Sequence, residues 1–104
     1  MTADRLEALR NLVEQNPGNE LARFGLAMEY AGSGRAEEAI VAFKGLIELN
    51  PNYWGAYYHF GQVLESLGRQ DQARSVYQTG IHVAQRLGQA HAASELETAL
   101  GILG

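Results

Sequence analysis

The sequence predicts an all-α fold of about six antiparallel helices built as helix-turn-helix repeats, and three observations carry that expectation. The dipeptide Asn-Pro occurs at 16–17 and again at 50–51, 34 positions apart, and self-similarity at a fixed period of this size marks stacked supersecondary units. On that period Leu26 lies over Phe60, Ala27 over Gly61, Gly34 over Gly68, Ala39 over Ala73 and Phe43 over Tyr77. Between these landmarks apolar residues recur at helical spacing, as in Ala39, Phe43, Leu46 and Ile47, or Ala73, Val76, Tyr77, Gly80 and Ala84.

The elements follow in chain order. Residues 1–17 read as a half unit, because Leu6, Leu9, Leu12 and Val13 fit the pattern of a second helix with no first helix before it. Residues 20–53 form the first full repeat and 54–87 the second. Each has a tight turn at Gly34 or Gly68, where glycine takes a positive φ at little cost. Glu37, Glu38 and Asp71 fall in the first turns of the second helices, where negative charge suits the N-terminal dipole. Each Asn-Pro closes a helix, since proline disfavours the helical conformation in the residue before it. Residues 88–104 read as a capping helix whose polar side, His91, Ser94, Glu95 and Thr98, stops the stack. The whole chain, 1–104, is expected to be a single domain.

Composition narrows the function classes. The chain has 104 residues, 46% of them hydrophobic and 19% charged, with a net charge of −4; this suits one globular domain. Its eight Lys and Arg are spread along the length, so no basic stripe points to nucleic acid. No apolar run reaches the length of a membrane span or a signal peptide, so no membrane insertion and a cytoplasmic location are expected. The absence of cysteine removes disulfides, thiolate catalysis and most structural zinc sites.

The period, the small residues at Ala27, Gly61, Ala39 and Ala73, the aromatics Phe43 and Tyr77, and Pro51 together resemble the tetratricopeptide repeat. The resemblance covers two full repeats, about 20–87, with the flanking helices as half-repeats. Arg23 departs from it, standing where the family often has Trp or Leu, and so does Gln85, in place of the closing proline of the second repeat. The resemblance implies a short right-handed superhelix whose first helices line a concave groove for peptides or partner helices. One subclass of the family grips a carboxylate terminus with Lys, Arg and Asn on that groove. Here the corresponding positions hold Phe24, Met28, Tyr58 and Gln62, so no such clamp carries over.

The residues point to the same face independently. With Leu26, Ala27 and Tyr30 assigned to the core, Leu21, Phe24, Met28 and Ala31 form a second apolar stripe on the first helix. On the next first helix the core takes Tyr57, Phe60, Gly61, Leu64 and Leu67, leaving Trp54, Tyr58, Gln62 and Glu65 on a separate face. Ala92, Leu96 and Ala99 are expected to supply a third wall. Two readings stay open for this surface: internal filling of the stack, or a binding site. Met adapts to varied partners and Tyr combines apolar area with a polar tip, and burying one such side chain stabilises by about 1.5–3 kcal/mol. The expected function is a protein-interaction adaptor or scaffold that takes a hydrophobic peptide or amphipathic helix. The alternative is a homo-oligomer that uses the same face for self-association.

Enzyme chemistry finds little footing. His59, His82 and His91 form no His-Glu-x-x-His arrangement, and the twelve glycines make no phosphate loop. Ser33, Ser66, Ser75 and Ser94 sit in no nucleophile turn. No catalytic residue, cofactor or metal is expected. Arg69 and Arg74, flanking Asp71, read as an ordinary charged helix start, with docking of an acidic partner the less common case.

Overall fold

A computed structural model describes the backbone of residues 2–104 and the side chains of residues 5–104. Its six helices are α1 (Thr2–Gln15), α2 (Glu20–Gly32), α3 (Ala36–Leu49), α4 (Gly55–Ser66), α5 (Gln70–Arg86) and α6 (Ala90–Leu103). The described residues contain no strand, so the fold is all-α. They form two compact units, Met1–Asn50 and Pro51–Gly104.

In the first unit α2 packs against both α1 and α3. Asn19 opens α2 by accepting a hydrogen bond from the Ala22 amide at 3.0 Å, which satisfies one of the free N–H groups of the first turn. Gly34, at φ +74°, closes α2. Its amide bonds the Ala31 carbonyl, and the Arg35 amide bonds the Tyr30 carbonyl at 2.9 Å. Those two bonds are the Schellman pattern, which a left-handed residue makes possible. The chain turns back at once, and α3 buries Ala39, Ile40, Phe43 and Leu46. Of the half-unit stripe, Leu6 is buried, Leu9 and Val13 are half-buried, and Leu12 is exposed. A single neighbouring helix covers only a narrow strip of α1.

In the second unit α5 packs against α4 and α6, and α6 also touches α4. Gly68 repeats the Schellman turn at φ +73°, with Arg69 N–H to Leu64 C=O at 2.9 Å. Gly61 brings α4 close to α5: a Cβ there would lie 2.1 Å from Cε1 of Tyr77. Gly80 does the same for Tyr57, whose Cβ would lie 2.6 Å from an added methyl. Both glycines therefore act through the absence of a side chain. Leu67, expected in the core of α4, is instead 39% exposed. It caps the helix, where the chain is already turning away from α5.

Both departures from the repeat pattern have a physical account. Arg23 donates from Nε to the Pro17 carbonyl, and Tyr57, its counterpart 34 positions on, donates its hydroxyl to the Pro51 carbonyl at 2.6 Å. The contact to the proline carbonyl is kept while the side chain changes. Gly45 makes room for the arginine, since a Cβ there would lie 2.9 Å from its guanidinium. At the second departure Gln85 does not stop the helix as a proline would. α5 runs on to Arg86 and ends in a third Schellman turn at Gly88, φ +71°, where Gln89 N–H meets Ala84 C=O at 2.8 Å.

Candidate functional site

Each unit presents a first-helix face with its own chemistry. On α2, Leu21 is 73% exposed, while Phe24, Met28 and Ala31 are half-buried. Phe24 meets the buried ring of Phe43 edge-on, with centroids 6.5 Å apart. This face is thus an apolar shelf resting on a core aromatic. The structure leaves it only partly covered.

On α4 the equivalent positions are polar. Tyr58 and Glu65 are half-buried and Gln62 is exposed. The hydroxyl of the buried Tyr77 donates to Oε2 of Glu65 and accepts from Nε2 of Gln62 at 2.6 Å. Burial, and then the bond to Glu65, push the Tyr77 hydroxyl well above its ordinary pKa of 10.0. It therefore remains the donor of this pair. Trp54 sits at the N-terminal edge of α4 and is 40% exposed.

Tyr58, Gln62 and Glu65 share a cleft of about 430 Å³ with residues of α6. The opposite wall carries His91, Ser94, Glu95 and Thr98, with Ala99 and Ile102 alongside. Two expectations are corrected here. Leu96, placed by the period on the third wall of the groove, is 1% exposed and packs beside Gly80. The residues read as a solubilising outer side are the ones that face the α4 stripe. The reason lies in α6 itself: Ala93, Leu96 and Ala99 are its buried residues, and a helix with one apolar stripe turns that stripe inward. His91, Glu95 and Thr98, about 100° per residue around the helix, are then carried to the cleft.

His59 lies next to Tyr58, ring edge to ring face at 5.5 Å. Burial holds its pKa below the usual 6.5, partly opposed by the charge of Glu95. Arg74 is engaged by Asp71 at 2.8 Å and by the Gly104 carbonyl at 3.0 Å. Among the described residues no group of three or more His, Asp or Glu is placed to hold a metal, and no helix is long and apolar enough to cross a membrane.

A family model described as "Tetratricopeptide repeat" matches residues 30–96. The small glutamine-rich tetratricopeptide repeat-containing protein 2 of Mycosarcoma maydis is 30% identical over 78 residues, which make up 75% of this chain and 22% of the fungal protein. The chain thus spans about a fifth of that relative's length. Among solved structures, the tetratricopeptide repeat domain protein of Salinibacter ruber is 36% identical with a TM-score of 0.79, the match covering 85% of this chain and 89% of that one. PcrH in complex with the chaperone binding region of PopD superimposes with a TM-score of 0.92 over 98% of this chain and 77% of that one. At 16% identity that last likeness concerns the fold alone.

Proposed function

The chain belongs to the tetratricopeptide-repeat family, and from that premise we propose that it is a non-catalytic adaptor that docks a hydrophobic or amphipathic polypeptide segment. The proposed docking residues are Leu21, Phe24, Met28 and Ala31 on the α2 face of the first unit and, taken separately, Trp54, Tyr58, Gln62 and Glu65 on the α4 face of the second. The observation that carries the reading is the α2 stripe, which stays only partly covered after α1 and α3 have packed: Leu21 is 73% exposed and Phe24, Met28 and Ala31 are half-buried. Apolar area left in water on such a face costs solvation unless something covers it. The likeness in fold to PcrH, which was solved with a segment of PopD, supports a polypeptide as the occupant.

A displayed library of random 12-residue peptides tests the reading. Selection on the wild-type chain is expected to enrich peptides with apolar residues at helical spacing, and selection on the Phe24→Glu, Tyr58→Glu double variant is expected to lose them at unchanged helical content. Equal enrichment on both proteins would remove these faces from the function. A tight dimer by light scattering, with no peptide enriched, would assign the surface to self-association instead.

A further inference from the structure

We infer that the α4–α6 cleft receives a Lys or Arg side chain carried by the docked segment. The inference rests on the docking reading above and adds the chemistry of one contact. Three clefts of comparable size differ in charge. The one beside α1 holds Glu7 and Glu14 but also Arg10 and Arg35. The one between α2 and α3 holds Glu37 and Glu38 with Arg23. The α4–α6 cleft has Glu65 on one wall and Glu95 on the other, with no Lys or Arg in its lining. Its two carboxylates face no Lys or Arg there, so a cation is the complementary occupant.

The walls suit an alkyl stem with a charged end. Tyr58 offers an aromatic face that a guanidinium or ammonium can approach, and Ala99 and Ile102, the latter 81% exposed, offer apolar contact for methylenes. Glu65 is held in place from the core, because Tyr77 and Gln62 both donate to its Oε2 and neither engages Oε1. A carboxylate fixed in this way loses little freedom when it pairs. Glu95 acts electrostatically on His59 of α4, so its charge is felt across the cleft. Burial disfavours the charged form of that imidazole.

The same peptide library separates this inference from its premise. Peptides enriched on the wild-type chain are expected to hold at least three times the input frequency of Lys and Arg beside the apolar residues. The excess should vanish on the Glu65→Gln, Glu95→Gln variant, in which glutamine still accepts from Tyr77. In one enriched synthetic peptide, norleucine in place of the basic residue should weaken binding about tenfold, two ion pairs and a cation–π contact being modest individually. That difference should shrink at 0.5 M NaCl. Glu95→Lys should also abolish the basic excess, because Glu65 then has a cation beside it within the cleft. Enrichment of apolar peptides with no basic excess would overturn the cation site and leave the docking faces standing. No enrichment on the wild-type chain would overturn both.

Discussion

The two units solve one packing problem with different chemistry. Phe43 and Tyr77 occupy the same place in the period, and both rings are fully buried. In the first unit the ring packs against Phe24, and Met28 and Ala31 continue the apolar face. In the second the ring ends in a hydroxyl, and the three matching positions are Tyr58, Gln62 and Glu65, two of them bonded to that hydroxyl. One atom at the bottom of the slot thus goes with the polarity of the face above it. A buried hydroxyl needs a partner and a buried phenyl edge does not.

Exchanging the two slots breaks the comparison, and the expected effects form a descending series. Phe43→Ala should cost about 3–5 kcal/mol through the lost ring and the cavity left behind, read by urea denaturation. Gly61→Ala comes next at about 1–3 kcal/mol, since the new methyl falls on the Tyr77 ring and forces α4 from α5. Phe43→Tyr should also destabilise, by about 1–3 kcal/mol, because it adds a hydroxyl to a fully buried ring where Met28 and Ala31 stand in place of Gln62 and Glu65. Tyr77→Phe should cost only about 1 kcal/mol, as Gln62 is open to water and can rehydrate. A Phe43→Tyr protein as stable as wild type would show that the slot does not set the chemistry of the face.

The smallest effects are those of pH. Tyr57 and Tyr77 both have folded pKa values raised above 10.0, in each case chiefly by burial. The unfolded chain therefore releases these protons first. Their stabilising contribution is complete below pH 10 and is lost as pH rises from there toward the folded values. His59 moves in the opposite sense, its folded pKa lying below 6.5. Its contribution is complete above pH 6.5 and is lost as pH falls through the folded value, because the unfolded chain takes up the proton first. Denaturation midpoints of Tyr77→Phe and His59→Gln, followed against pH, should flatten the alkaline and acid limbs respectively. Unchanged limbs would place these side chains in water.

Much of this fold could be read before any coordinates. Gly34 and Gly68 announce their turns because a left-handed residue is needed there. Ala39, Phe43, Ala73 and Tyr77 announce the core because large and small residues alternate on the period. The face on α2 was legible for the same reason: Leu21, Phe24 and Met28 exceed what one core stripe can use. The period failed where it was carried past Gln85. α6 has its own apolar stripe, and burying Leu96 rotates His91 and Glu95 into the cleft, an outcome fixed by packing against α5 and invisible to alignment. The link from Tyr77 to Glu65 was hidden too, since it joins residues 12 apart on different helices.

The claim that these faces dock a polypeptide is tested most directly by NMR, with a library-selected peptide titrated into isotope-labelled wild-type protein. The largest shifts are expected at Phe24 and Met28 on α2 and at Tyr58, Gln62 and Glu65 on α4. Shifts concentrated instead on the outer side of α3 around Val41, with those five residues unmoved, would contradict it.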